Sequence, residues 1–217
     1  MRYEPLTPSQ FSVLDGLEDW RVLDRHAHAL FRAGSFVAAA DLVKAIAAAA
    51  DAADHHPNID LRYPDRVHVA MTTHFTKSLS DQDVALARRI SALASAARAV
   101  AEPLASQGYE VAIDSMEIGQ IQPFWAAVLG YRIDGVAVVD PNGIGPSMWF
   151  QQMEKPRTER SRFHIDVIVP HDLAEARVAA ALAAGGRLVT DRFARAWWVL
   201  ADADGNEACV CTWQDRD

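Results

Sequence analysis

Proton transfer near neutral pH is done best by groups that titrate there, and unperturbed histidine does so at about pH 6.5. The chain offers two adjacent histidines in Asp51-Ala52-Ala53-Asp54-His55-His56-Pro57, and a third, His74, after Thr73. Adjacent side chains cannot share one face of a regular helix or strand. Holding His55 and His56 in one pocket therefore requires irregular backbone, and Pro57 supplies a stop at that point. Asp51 lies one helical turn before His55, close enough to orient its ring or stabilise its charge. The bland alternative is a polar helix end carrying a solvated histidine pair. A three-histidine zinc site with Asp51 is a second alternative, disfavoured because neighbouring rings rarely reach one ion without distortion.

These residues need elements to carry them. Thr7-Pro8-Ser9-Gln10 followed by Phe11, Leu14 and Leu17 reads as a short capped helix that closes near Gly16. Strands are expected at Trp20 to Arg25 and His28 to Arg32, with turn chemistry at Ala33-Gly34-Ser35. A helix then runs from Phe36 to about Ala53, with Phe36, Ala39, Ala40, Val43, Ile46, Ala47 and Ala50 as its apolar stripe. Strands follow at Asn58 to Arg62 and Arg66 to Thr73, the second placing Val67, Val69 and Met71 on one face. Ser80, or Ser78, caps a last helix striped by Val84, Ala87, Ile90, Leu93 and Ala97. This order predicts an α+β layer, an antiparallel sheet with helices packed on one face. His26, His28 and His68 fall on strands and carry no assigned role.

About residues 7 to 97 resemble the pterin-4a-carbinolamine dehydratase family, whose members also serve as a dimerisation cofactor of a homeodomain transcription factor. The carriers are Asp51, His55-His56-Pro57, Tyr63, Thr73-His74 and Asp83, with Trp20 at the family's early tryptophan. The resemblance implies dehydration of 4a-hydroxytetrahydrobiopterin to the quinonoid dihydropterin, in support of tetrahydrobiopterin recycling. It implies His55 or His56 as general acid at the 4a-hydroxyl, and His74 as acid-base partner or orienting group. It also implies Asp51 orienting His55, with Trp20, Thr73 and Asp83 lining or orienting the pocket. No cofactor is implied for that reaction, and homo-oligomers are. Taken singly, Trp20 reads as a core residue, Asp83 as a carboxylate favoured by a helix dipole, and His74 as a surface strand end. The sequence departs from the family pattern in Phe75-Thr76-Lys77-Ser78, where the usual glycine pair is missing and easy access to positive φ is lost.

A boundary is expected near 100 to 107, marked by Pro103 and Gln107-Gly108, so the reading is a first domain at 1–100, a linker at 101–107 and a second domain at 108–217. The second domain reads as strand Tyr109 to Asp114, helix Ile118 to Leu129 ending at Gly130, strand Tyr131 to Val139 and strand Ser147 to Gln152. The pattern then recurs: strand Arg162 to Val169, helix Asp172 to Ala184, and strands Arg187 to Thr190, Trp197 to Ala201 and Glu207 to Trp213. Two paired βαβββ units result.

This half resembles the glyoxalase-like branch of the vicinal oxygen chelate superfamily, through Phe124-Trp125-Ala126-Ala127-Val128-Leu129-Gly130-Tyr131, Arg162-Phe163-His164-Ile165-Asp166 and Asp202-Ala203-Asp204-Gly205-Asn206-Glu207. Members with metal chemistry place ligands on the first strand of each unit and on the last strand. The resemblance makes His164, Glu110 and Glu207 the metal candidates. Period-two geometry puts Glu110 with Asp114, His164 with Asp166, and Glu207 with Cys209 on shared sides. The first-strand histidine of metal-binding relatives is absent and the usual last-strand glutamate register falls on Cys209, so a metal-free cup of unknown ligand is the preferred reading over a divalent metal site. Trp149, Trp197 and Trp198 line that cup or fill the core, and core is preferred.

Half of the 217 residues are hydrophobic and the net charge is −8. Residues 1–100 carry 11 basic against 12 acidic side chains and residues 101–217 carry 10 against 17, or −1 and −7. Neither half has the basic footprint of a nucleic-acid binder. No apolar run approaches the ~20 residues that span a bilayer, no signal-like core follows Met1, and a cytoplasmic protein is expected. Cys209 and Cys211, one residue apart, read as core thiols. The expected whole is a pterin dehydratase joined to a glyoxalase-like module. The alternatives are a non-catalytic pterin-binding or oligomerisation module, or a metal-dependent lyase or dioxygenase centred on His164.

Overall fold

The capping signals of the sequence are all made. In the computed structural model, which describes residues 3–23, 25–157, 159 and 163–215, Thr7 and Gln10 close a capping box and Ser35 accepts from the Ala38 amide. Ser80 and Asp83 close a second box. Asp24 and Arg162, read from the sequence as strand residues, lie outside the described set. The chain divides into two units, Met1–Gly108 and Tyr109–Asp217.

The first unit runs β1 (Pro5–Leu6), α1 (Pro8–Ser12), β2 (Arg21–Leu23), β3 (His26–Arg32), α2 (Phe36–Ala53), β4 (Asn58–Arg62), β5 (Arg66–Met71), β6 (Leu79–Ser80), α3 (Asp81–Ala96) and β7 (Val100–Ala101). The main sheet has the order β2-β3-β5-β4, with β7 also paired to β3, and every pairing is antiparallel. Ala27, Ala29 and Phe31 of β3 and Val67, Val69 and Met71 of β5 point to one face. There they join Phe11, Leu42, Ile46, Val84 and Ile90 from the three helices in one core. Helices on one face of an antiparallel sheet are what the periodicity predicts.

Three details differ from the sequence reading. The buried stripe of α2 is Ala39, Leu42, Ile46 and Ala50, whereas Phe36 is 51% exposed. Phe36 is the first residue of the helix, a full turn and a half before Leu42. Val100–Ala101, placed by the sequence at the linker boundary, are edge-strand residues whose pairing continues through the Glu102 amide to the Leu30 carbonyl. The turn after His74 does take a positive φ despite its missing glycines, because Lys77 adopts φ 50° while Thr76 bonds the Thr73 and Ser78 carbonyls.

The second unit contains β8 (Val111–Ser115), α4 (Ile118–Leu129), β9 (Arg132–Asp134), β10 (Ala137–Val139) and β11 (Met148–Gln152). It continues with β12 (His164–Ile168), α5 (Ala174–Ala183), β13 (Arg187–Thr190), β14 (Trp197–Ala201) and β15 (Glu207–Cys211). The sheets have matching orders, β8-β11-β10-β9 and β12-β15-β14-β13, and in each the first and last strands pair in parallel. These are the two βαβββ units expected. Residues 131–139, read as one strand, form the hairpin β9–β10 because Gly135 turns at φ 61°. Phe124, Trp125 and Val128 of α4 share a core with Met148, Phe150, Leu200, Ala208 and Val210. Gly186 lets the chain after α5 approach this core: a Cβ there would lie 2.3 Å from Phe124 Cδ2 and 2.8 Å from the Ala181 carbonyl. Of the tryptophans, Trp198 packs on the core, whereas Trp197 projects oppositely and stacks on Phe193 at 4.6 Å. No helix among the described residues is long and apolar enough to cross a membrane.

Candidate active site

Helix α2 ends through Asp54, which takes a left-handed conformation (φ 50°, ψ 39°) and returns its amide to the Ala50 and Asp51 carbonyls. The His55 amide then closes on the Ala50 carbonyl at 3.1 Å. This irregular residue gives the adjacent histidines different environments. His55 turns inward and is 8% exposed, whereas the side chain of His56 is 60% exposed.

The inward ring meets a carboxylate. His55 Nε2 lies 2.8 Å from Oδ1 of Asp83, which is fully buried at the first turn of α3. The other oxygen, Oδ2, accepts from Thr73 Oγ1 at 2.7 Å and from the Ser80 amide at 2.8 Å. Thr73 and Ser80 hydroxyls are themselves 2.6 Å apart. These contacts hold the buried carboxylate in place, and it in turn fixes the ring that bonds it. With Nε2–H committed to Asp83, His55 Nδ1 is the nitrogen left to accept a proton. Outside, His56 Nε2 lies 3.0 Å from Asp51 Oδ1, with both side chains exposed.

The structure thus redistributes the partners read from the sequence. Asp51 pairs with His56, not His55, because Asp54 rotates the chain before His55 is reached. Trp20 is a core residue, 3% exposed, whose Nε1 donates to Ser91 on α3 at 3.1 Å. Asp83 is both a capping carboxylate and the partner of His55. His74 follows Thr73 into the turn and is exposed. The side chains that converge are His55, Thr73 and Ser80, joined around the Asp83 carboxylate, whereas His56 and His74 are exposed outside it.

In the second unit, the metal candidates do not converge as a set. Glu110 is engaged by the Ser147 hydroxyl. Glu207 stands opposite His164 in register, but the group whose donor atoms all lie within 4.8 Å of one another is His164, Asp166 and Cys209. His164 Nε2 is 3.3 Å from Asp166 Oδ1. Burial first, then the Asp166 carboxylate, pushes the Cys209 thiol up to about 12. His164 and Asp166 line a cavity of about 510 Å³ with Tyr109, Tyr131 and Met148. His164 also borders a second cavity of about 400 Å³ that includes Arg157, Asn206 and Glu207.

Residues 4–93 match a family model described as pterin 4 alpha carbinolamine dehydratase, and residues 110–211 match one described as a glyoxalase-like domain. A protein of Chloroflexus aurantiacus named "Putative pterin-4-alpha-carbinolamine dehydratase" is 43% identical over 72 residues, which cover 33% of this chain and 76% of that protein. One of the same name from Nocardia farcinica is 38% identical over 95 residues, covering 43% of this chain and 99% of its own length. The chain belongs to the pterin-4a-carbinolamine dehydratase family. A crystal structure of a transcriptional coactivator/pterin dehydratase from Brucella melitensis is similar at 28% identity, over 42% of this chain and 99% of that one, with a TM-score of 0.39.

Within this dehydratase-family unit, the family motif residues His55, Thr73 and Asp83 form one hydrogen-bonded network. The pairing of His55 with Asp83, 28 residues apart, has no local sequence signal. In the glyoxalase-like unit, Asp166 and Cys209 were visible as period-two neighbours of His164 and Glu207. The parallel register of β12 with β15 sets Asp166 against Cys209 and His164 against Glu207, and leaves Glu110 with Ser147.

Proposed function

We propose that the first unit dehydrates 4a-hydroxytetrahydrobiopterin to the quinonoid dihydropterin, in the cytoplasm and as part of a homo-oligomer. The observation that carries this reading is the buried Asp83–His55 pair beside the exposed Asp51–His56 pair. The reaction breaks the C4a–O bond with a proton delivered to the departing hydroxyl, and removes a proton from the neighbouring ring nitrogen as the C=N bond forms. His55, backed by Asp83, takes the ring proton at Nδ1, and the imidazolium formed is stabilised by the carboxylate at its other nitrogen. His56, backed by Asp51, delivers a proton to the hydroxyl, and His74 orients the pterin from the rim. Support for assembly comes from β4, whose outer edge is unpaired among the described residues and offers five residues to a second copy. The glyoxalase-like unit contributes a separate ligand site.

The test follows dehydration of chemically generated 4a-carbinolamine by the purified full chain. Acceleration over buffer is expected, with His55→Ala and His56→Ala each reducing it about 100-fold or more. A wild-type chain that leaves the rate at the buffer level overturns the dehydratase reading. If that chain still binds a pterin, the non-catalytic binding module stands in its place.

A further inference from the structure

The sheet face of the first unit that lies away from the helices holds a histidine cluster that the dehydration does not use. Ala27, Ala29, Val67 and Val69 turn into the core, so His26 and His28 of β3 and His68 of β5 stand on the opposite face. There His28 Nδ1 lies 3.1 Å from His68 Nε2, and the other ring nitrogen of His68, Nδ1, lies 3.4 Å from Asp60 Oδ2 on β4. The ring centroids of His28 and His68 are 5.3 Å apart, and those of His26 and His28 are 6.2 Å apart. All three histidines are half-buried.

We infer that His28 and His68, with His26 as third ligand, bind a divalent metal ion of the zinc type on this face. Imidazole suits zinc, copper and nickel, whereas magnesium and calcium take oxygen shells. A tetrahedral zinc ion with Zn–N bonds of about 2.0–2.1 Å holds its nitrogens roughly 3.3 Å apart and the imidazole centroids roughly 5 Å apart. The pair His28–His68 is close to both spacings as it stands. His26 is about an ångström farther from His28 than the ideal, a gap that side-chain rotation closes.

The neighbouring groups favour the ion. By accepting from Nδ1–H of His68, Asp60 leaves the Nε2 lone pair aimed at His28, the carboxylate–histidine arrangement that orients metal-bound imidazoles. Across the 3.1 Å gap His28 donates its own Nδ1–H. As an ion binds, that proton passes through solvent to His28 Nε2, and both facing nitrogens donate to the metal with no proton gained or lost by the pair. Arg21, the cross-strand neighbour of His28, gives its guanidinium to the Glu18 and Trp20 carbonyls. Thr73 turns to Asp83 on the helix side, so Thr72 faces the side of the histidines, and the pairing of Ala27 with Met71 sets it beside His26. Its buried hydroxyl has no hydrogen-bond partner among the described residues, and a water on the ion supplies one. Both central strands are held in register by the sheet, so the ligands stand on a rigid base.

The experiment titrates zinc into the full chain by calorimetry. One binding event should be lost in His28→Ala and in His68→Ala and kept in His164→Ala, with circular dichroism reporting the fold of each variant. Asp60→Asn should weaken that event about tenfold or more while the circular dichroism stays unchanged. Diethylpyrocarbonate modification of the wild-type chain, mapped by mass spectrometry, reads the site without any substitution: zinc should protect His28 and His68. Absence of zinc uptake, uptake that survives both His28→Ala and His68→Ala, or equal modification of His28 and His68 with and without zinc each overturns the proposal. Unchanged zinc affinity in Asp60→Asn overturns the part given to Asp60. None of these readouts depends on dehydratase activity, so the two readings fail separately.

Discussion

Asp83 accepts hydrogen bonds from His55, Thr73 and the Ser80 amide while fully buried. An asparagine there keeps one acceptor oxygen and turns a donor toward groups that already donate. Asp83→Asn is expected to cost about 2–4 kcal/mol of stability, visible as a lower denaturation midpoint of the full chain, and to lower dehydration further than that loss alone explains. By contrast, Trp20 is bonded to Ser91 inside the core, so its place in the family motif reflects packing. On the open face of the sheet, His28 Nδ1 lies 3.1 Å from His68 Nε2, and His68 faces Asp60 at 3.4 Å. Burial first, then His68 and His26, pushes His28 down to about 4 from 6.5, and Arg21 is its cross-strand neighbour. The unfolded chain therefore takes up a proton between pH 6.5 and 4 that the folded chain refuses. Stability linked to His28 is present above about pH 6.5 and is lost as pH falls through that window, by about 1–2 kcal/mol once its partial exposure is discounted. His28→Gln should flatten that decline in urea titrations run across the window.

At the scale of elements, the turn Asp202–Asn206 between β14 and β15 explains one of the sequence motifs. Asp202, fully buried, accepts from Trp125 Nε1 at 2.9 Å and from both nitrogens of Asn206, while Asp204 accepts from Ser115 Oγ and the Met116 amide. The turn of the second βαβββ unit thereby grips the helix and strand end of the first. Asp202→Ala would leave the indole N–H of Trp125 buried without its acceptor, and a loss of about 2–4 kcal/mol is expected in thermal or urea denaturation. The elements were largely legible beforehand: Thr7, Ser35 and Ser80 announced three helix starts, and alternation in 66–71 announced the buried face. What the periodicity missed was local geometry set by neighbours. Phe36 fits the apolar stripe of α2 and yet stays exposed, and Gly135 splits an apparently continuous strand into a hairpin.

Across the whole molecule, two units carry separate cores, one built from residues between Phe11 and Ala94 and the other from residues between Ile121 and Val210. The acidic excess lies in residues 101–217, so the electrostatic character of that half differs from that of the first. The sequence by itself determined the family, the α+β class and the two βαβββ repeats, and it singled out the adjacent pair His55-His56, because caps, alternation and motif spacing are properties of short segments. Only the tertiary structure decided which partner each of those histidines takes. The left-handed Asp54 turns His55 toward Asp83 and leaves His56 to Asp51. The parallel pairing of β12 with β15 sets Asp166 against Cys209 and gives His164 neighbours other than Glu110. Partnership of that kind depends on segments far apart in the chain and on single backbone angles, neither of which spacing along the sequence encodes.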